Sequence, residues 1–436
     1  MLVVLGFAVL SGVMLANLHR VTEDSVDELS HRYSQLVARN IANSASVRAL
    51  SQMWQDPTWR TGYSLESCFG GTYHTDVVTS SADPSLRANQ YRLETEARYD
   101  RDSARVEVLL EKPSFARFVW FTEDEAGNHW ITGDVVGGPV HTNGYFTMEG
   151  TPIFLDDVSS AEVAPPPATD PWAGGGTPDF RGDTEFGRPP IHLPTNLSTL
   201  YALAASGGRT FTQDVWIQLG PTAPSFKYVL TDPGRPIIRT DQGLPYYKQY
   251  FGTNPTTPGV TTVTYASFNG VIAATGGHDI HIWGRLDGQL TLVASRNIYV
   301  EDDVLYTAPP PMSDDLLGLV AENDVIVAWS DAPLPASADP NNQDCTIQAS
   351  ILALHSFAAQ SYWLPLAQAP PPDPTRGTLT VVGGVVQNVR GSVYQTHPGK
   401  AASGYNQIYT YDPRLRTTLP PAYPLYDDNL ILSWQE

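Results

Sequence analysis

Residues 1–54, MLVVLGFAVLSGVMLANLHRVTEDSVDELSHRYSQLVARNIANSASVRALSQMW, decide how this chain must be built. Between Leu2 and Leu18 there is no ionisable side chain, and about 17 apolar residues is the shortest helix that crosses a hydrocarbon core. From Leu18 on, the apolar residues fall at helical spacing, at Val21, Leu29, Tyr33, Leu36, Val37 and Ile41. Arg20, Glu23, Asp24, Asp27, Glu28, Arg32 and Arg39 fill the positions between them. No proline occurs before Pro57, so one unbroken helix of roughly 80 Å, at about 1.5 Å per residue, is expected. Such a helix is too long for the core of a single domain. Leu2, Leu5, Phe7, Leu10, Leu15 and Leu18 are therefore expected in a membrane or against other helices. Leu29, Tyr33, Leu36 and Ile41 are expected to pack on the chain's own folded part.

Asp56-Pro57 ends the helix, and the stretch from Gly62 to Ser85 reads as a loop-rich passage. Two alternating runs follow, Tyr91 to Tyr99 and Ala104 to Leu110. Tyr91, Leu93, Thr95, Ala97 and Tyr99 fall on one face, with Arg92, Glu94, Glu96 and Arg98 on the other, which is a hairpin with one covered side. Phe115 to Phe121 reads as a third strand of the same meander.

After Gly127 the sequence breaks into short β runs punctuated by Gly and Asn. Residues 161–190 are rich in Pro and Gly and read as a long surface loop, followed by a short helix near Asn196 to Ala205. An internal repeat then appears. Leu292 to Val300 aligns with Leu319 to Val327 at an offset of about 27 residues, Gly277 to Ile282 fits its second half, and Thr346 to Leu354 aligns with Thr380 to Asn388. Short strands recurring in this way cannot bury a face alone and predict an irregular β-solenoid, with the insertions from Asp331 to Asp344 and Ala367 to Arg376 thrown outward. The expected fold class is α+β: a long helix on an antiparallel sheet, with a large all-β solenoid insert. The boundaries read as 1–54 for the helix, 55–126 for the first part of the head, 127–424 for the insert and 425–436 for a final strand returning to the head.

An apolar helical start running without a break into an amphipathic half that carries a β head resembles the N-terminal helix of type IV pilins and pseudopilins. His141-Thr142-Asn143-Gly144 resembles the start, and Arg390-Gly391, Gly404-Tyr405, Tyr411-Asp412-Pro413-Arg414-Leu415 and Pro420-Pro421 the end, of a β-solenoid inserted into a pilin-like sheet in bacterial pilin-associated proteins. No glutamate lies between Leu2 and Leu18, where the pilin helix carries one near its mature start. The resemblance implies a structural, non-enzymatic subunit of a bacterial cell-surface filament, anchored in the inner membrane before assembly and partnered through its helix with other subunits. It also implies that Asn429 to Trp434 closes a discontinuous head. A simple membrane anchor would explain Leu2 to Leu18 alone. A cleaved secretory signal would need a small-x-small site, which Met14-Leu15-Ala16-Asn17 does not supply.

The chain of 436 residues carries a formal charge of −20 and a pI near 4.8, which argues against nucleic-acid binding by the surface as a whole. Cys68 and Cys345 are too few for a disulfide framework or a four-ligand zinc site. In an exported chain they are expected to pair with each other, the alternative being two buried thiols. Adjacent carboxylates occur at Asp156-Asp157, Asp302-Asp303, Asp314-Asp315 and Asp427-Asp428. Neighbours on a strand point to opposite faces, so none is itself a glycosidase acid and base pair. Asp302, Asp303 and Asp344 are the candidate calcium ligands, without EF-hand spacing; no other cofactor is expected. His278 and His281 read as opposite-facing strand residues. Tyr246, Tyr247, Trp283, Tyr299, Tyr306, Trp329, Tyr362 and Trp363 are candidates for a glycan- or protein-binding surface. Arg181-Gly182-Asp183 reads as a chance tripeptide in a loop. The rivals to the filament subunit are a membrane-tethered β-helix enzyme acting on polysaccharide and a pilus-tip receptor for DNA uptake or adhesion.

Overall fold

Proline placement sets the first boundary of the structure. In the computed structural model helix α1 runs Leu2–Gln55 and stops at Asp56, whose carboxylate accepts from the Thr58 N–H at 2.9 Å, just ahead of the chain's turn at Pro57. The structure describes residues 2–87, 89–220, 225–230, 261–264, 268–328, 344–360, 377–397 and 400–436, with the backbone alone at 2–6, 8, 395–397 and 400–403.

Two compact units make up the chain, residues 1–113 with 427–436, and residues 114–426. The first is α1 and a five-stranded antiparallel sheet of β1 (Tyr63–Cys68), β2 (Gly71–Thr79), β3 (Gln90–Tyr99), β4 (Asp102–Glu111) and the C-terminal strand Leu430–Gln435. The passage expected as loop between Gly62 and Ser85 is thus β1 and β2. The alternation of Tyr73, Thr75 and Val77 is real, but it is short and masked by Gly and Thr. The predicted faces of the hairpin are observed, with Leu93, Thr95 and Ala97 buried.

Helix α1 meets this sheet through Ile41, Ala42, Ala45, Ala49, Leu50 and Met53, packed on Tyr73, Leu93, Ala97, Val106, Val108 and Leu110. Half of the helix side of that contact is alanine, so the backbone lies close to the strands. Ser46 Oγ reaches Thr95 Oγ1 across it at 3.0 Å.

In the second unit most strands pair in parallel with strands further along the chain rather than with their neighbours, while Ser225–Val229 lies antiparallel to Val215–Leu219 and to Thr261–Thr264. Val271–Ala274 pairs with Gln289–Ala294, that strand with Leu316–Ala321, then with Cys345–Ala353, then with Thr378–Val389. A second column runs through Val215–Leu219, Ile280–Leu286, Ile298–Tyr306, Val325–Val327 and Phe357–Ala359. This is the wiring that a stack of coils requires. The repeat alignments are read directly as hydrogen-bond register: Leu292 lies opposite Leu319, Tyr299 opposite Ile326, Ile280 opposite Ile298, and Thr346 opposite Thr380.

Two segments depart from expectation. Phe115 to Phe121 was expected in the head, yet Trp120–Asp124 lies between Thr378–Val389 and Val140–Thr142, in parallel with both. Its flanking Trp and Phe side chains fill the stack interior, where a half-covered sheet would have no room for them. Residues 161–190 are not irregular throughout. Asp179–Phe180 and Thr184–Phe186 add further rungs on Ile153–Phe154 and Val158–Ser160, and helix α2 (Ser198–Gly207) follows. The chain therefore enters the stack part-way along it, winds to Phe186, and resumes on the far side at Arg209–Phe211, paired with Val271–Ala274. Entry and exit adjoin: Ser114 bridges Leu425, and the Phe115 and Tyr426 rings are 5.3 Å apart.

Candidate functional site

The residues expected to serve assembly lie on α1, and the helix divides by exposure. Beyond the described backbone of Leu2 and Leu5, the side chains of Phe7, Leu10, Leu15 and Leu18 stand in solvent, as do Val21 and Val26. Of the four residues expected to pack on the head, Ile41 is buried in it and Tyr33 sets its ring edge-on to that of Tyr99, with the centroids 6.3 Å apart. Leu29, Tyr33 and Leu36 are 69%, 60% and 57% exposed, whereas Ile41 is fully buried. Sequence spacing found the helix but chose its larger apolar stripe as the inner face. The inner face is the line of small residues from Ala38 to Ala49, which hydropathy ranks low. Leu18, Leu29, Leu36, Val47 and Trp54 recur at alternating spacings of about 11 and 7 residues, which keeps them within about 20° on a helix turning 100° per residue, and all are exposed. Among the described residues no helix is long and apolar enough to cross a membrane. The side chains of residues 2–6 and 8, which open the apolar run, lie outside that set.

The other candidates are distributed through the stack and are spent on its structure. Asp303 Oδ1 accepts from the Thr346 N–H at 2.7 Å, Asp302 Oδ1 from Asp303 N–H at 2.9 Å, and Asp344 Oδ1 from Thr378 N–H at 2.6 Å. Asp303 and Asp344 tie one rung to the next, whereas Asp302 bonds within its own strand, and among the described residues no group of acidic, His or Cys side chains could hold a metal. Asp156 takes Arg416, Asp157 accepts from the Asp183 N–H, Asp315 from Ser313, Thr307 and Gly288, and Asp427 pairs with Lys112. Cys68 and Cys345 are thiols and not the expected disulfide. One ends an edge strand of the head, while the other is buried in the stack opposite Leu379.

Of the aromatic candidates, Trp283 and Tyr306 are core residues, and Tyr246, Tyr247, Trp329, Tyr362 and Trp363 lie outside the described residues. Tyr299 belongs to a ladder that sequence reading missed. Register aligns Trp216, His281 and Tyr299, and their rings stack at 4.5 and 4.8 Å with interplanar angles of 11° and 10°. His281 Nδ1 meets Glu301 Oε1 at 2.5 Å. His278 instead joins Asp214, at 3.1 Å.

Beside this ladder runs a second one, of carboxylate and amide oxygens at one corner of the coils. Asp214 Oδ1 accepts from the Asp279 N–H at 3.0 Å, Asp279 Oδ1 from Asn297 N–H at 2.9 Å, Asn297 Oδ1 from Asp324 N–H at 3.2 Å, and Asp324 Oδ1 from Ser356 N–H at 2.9 Å. The signal is legible in hindsight: Asp214-Val215, Asp279-Ile280, Asn297-Ile298, Asp324-Val325 and Ser356-Phe357 each place a short polar acceptor just before an apolar strand.

A third cluster is buried. His141 Nδ1 lies 2.8 Å from Ser159 Oγ and Nε2 lies 2.9 Å from Asn143 Oδ1. Asn143 Nδ2 donates to Glu123 and to the Ile191 carbonyl, so Oδ1 is the acceptor and His141 carries its proton on Nε2. Burial pushes the imidazole down to about 4. Glu123 also accepts from the Leu193 N–H at 2.9 Å, so the cluster fastens the segment after Arg188 to the stack.

A family model described as a domain of unknown function, DUF4900, matches residues 73–163, from β2 across the point of insertion into the stack. No curated protein matches the chain. Among solved structures the chain is similar to the crystal structure of the competence-associated pilin ComZ from Thermus thermophilus, at 12% identity and a TM-score of 0.34, over 93% of this chain and 97% of that one.

Proposed function

We propose that this chain is a non-enzymatic, pilin-like structural subunit of a filament at a bacterial surface. In this reading the start of α1 rests in the membrane before assembly and then packs against other subunits. The second unit, read as an irregular β-solenoid, is displayed for lateral packing or adhesion, at the filament tip or along its length. The observation that carries the reading is the division of α1. Its sheet-facing side from Ala38 to Met53 is fully covered, yet a line of large apolar residues from Phe7 to Leu36 is left in solvent. Leaving such side chains in water costs about 1.5–3 kcal/mol each relative to burial, so a run of them implies an apolar environment beyond the chain itself.

Immunogold electron microscopy of cells producing the chain tests this. Label repeating along fibres, and lost in Leu18→Lys and Leu29→Lys variants that still fold, is the expected result. Fibres that still incorporate a chain lacking residues 1–18 would overturn it.

A further inference from the structure

The corner ladder has an outer companion. Strand register places His278, Arg296, Asn323 and His355, each one residue before a member of the ladder, on successive rungs. With paired strands about 4.8 Å apart, they form a row about 14 Å long. All stand at the surface: the side chains of His278, Arg296 and His355 are 35%, 46% and 60% exposed, and Asn323 is exposed as well. The ladder holds three of them from behind. His278 Nδ1 meets Asp214 at 3.1 Å, His355 Nδ1 meets Asp324 at 2.6 Å, and Arg296 gives Nε and Nη2 to Asp279. A carboxylate only accepts, so each imidazole carries its proton on Nδ1 and, while neutral, keeps Nε2 as an acceptor. Arg296 keeps Nη1 as a donor, and the Asn323 amide is donor and acceptor both. Among the described residues none of these remaining groups has a partner.

We propose that this row binds a linear uncharged polysaccharide, laid along the stack with its hydroxyl groups on successive rungs. The pattern of donors and acceptors selects the class. A hydroxyl both donates and accepts, so one kind of group serves the histidine Nε2 atoms, Arg296 Nη1 and the Asn323 amide alike. A ligand carboxylate or phosphate only accepts. It would meet the imidazole acceptors with Asp214, Asp279 and Asp324 behind them, on a chain of formal charge −20. An ammonium only donates, and would meet Arg296. An extended peptide docks by adding to an open strand edge or by filling side-chain pockets, whereas this row crosses strands that pair on both sides from Ile280–Leu286 to Val325–Val327. Repetition selects a polymer, because an equivalent contact recurs at each rung as a sugar recurs along its chain. The carboxylates fix His278, Arg296 and His355 before binding, so little side-chain freedom is lost. Tyr299, half-buried on the Arg296 rung, adds an apolar shoulder with a polar tip. Such binding gives the displayed second unit its ligand and rests on that display, not on what α1 packs against.

Isothermal titration of the full chain in detergent micelles tests this, with cellohexaose, mannohexaose and xylohexaose as the neutral probes. Hexagalacturonate, chitosan hexamer and oxidised insulin B chain serve as the anionic, cationic and peptide comparisons. Binding of at least one neutral hexasaccharide, in preference to all three comparisons, is expected. Asn323→Ala combined with His355→Ala should weaken it at least tenfold at a urea midpoint close to wild type, because one side chain has no partner and the other is mostly in solvent. His355→Gln, which keeps an acceptor, should retain most of the affinity. No heat with any neutral hexasaccharide, tighter binding of a comparison probe, or a double variant that binds as wild type does would each overturn the proposal. Fibre labelling is a separate readout that the double variant should leave unchanged, so assembly and glycan binding can each fail without the other.

Discussion

Arg390 and Glu125 form a buried ion pair, Nη1 to Oε2 at 2.7 Å, between residues separated by 265 positions in the chain. Glu125 follows the first stack strand and Arg390 follows the last strand that pairs with it, so the pair fastens the place where the coil closes on its own beginning. Thr122 Oγ1 donates to the same carboxylate at 2.6 Å. The guanidinium also lies 4.4 Å from the Trp130 ring centroid and 5.1 Å from that of Trp120. Removing one member strands a buried charge. Glu125→Ala should therefore cost about 3–5 kcal/mol, read as a lowered midpoint in urea unfolding. Glu125→Gln with Arg390→Met should recover much of that loss, because no charge is then left unpaired.

The corner ladder separates acceptor from charge. Asp279 takes both the Asn297 N–H and, through Nε at 2.7 Å, Arg296. Asp279→Ala leaves that N–H unsatisfied in a buried corner, while the half-exposed Arg296 turns to water and Asp214, and should cost about 1–3 kcal/mol. Asp324 offers a control, since Asp324→Asn keeps an oxygen for the Ser356 N–H while losing the carboxylate that meets His355 Nδ1 at 2.6 Å. Its effect should be smaller, and thermal unfolding of the two variants side by side measures the difference.

How far the sequence reached is plain from particular residues. The stack was legible to single-residue register, because Leu292 and Leu319, or Thr346 and Thr380, are near-copies of one environment repeated along an axis. The α1 boundaries were legible from proline, and the β3–β4 hairpin from its alternation. What sequence could not weigh was competition between faces: Leu29 and Leu36 are greasier than Ala42 and Ala45, but close approach of a helix to a sheet selects small side chains. The position of Trp120 was equally hidden, since an apolar run does not state which of two cores it fills. The two thiols fell short of a disulfide because two cysteines in a chain carry no information about their separation in space. The corner ladder escaped notice because an Asp before a strand reads as an ordinary turn residue until the rungs are stacked.

His141 makes acid sensitivity a property of the stack. Its imidazole is held neutral, down to about 4 against an ordinary value near 6.5. Between those values the unfolded chain binds the proton and the folded one does not, so stability is complete above about pH 6.5 and falls as the pH drops toward about 4. The loss attributable to this group approaches about 3 kcal/mol. Urea midpoints measured from pH 7 to pH 4.5 should show the slope, and His141→Gln should flatten that part of the profile. A wild-type profile with no dependence in this window would exclude the buried neutral imidazole as its source.

The two faces of α1 should respond in opposite ways to substitution. Ala42 and Ala45 are buried against β3 and β4 with no room to spare, so Ala42→Leu should destabilise the head by about 1–3 kcal/mol through overpacking. Leu29→Ala removes a larger side chain but one that stands 69% in solvent, and should leave the stability of the head within about 0.5 kcal/mol of wild type. The same pair reverses in an assembly assay. Leu29→Ala, stable as a subunit, should incorporate poorly into fibres, whereas Ala42→Leu should incorporate in proportion to how much of it remains folded. Equal stability losses for both variants would mean that the outer stripe of α1 is packed on the chain's own head and is not reserved for a partner.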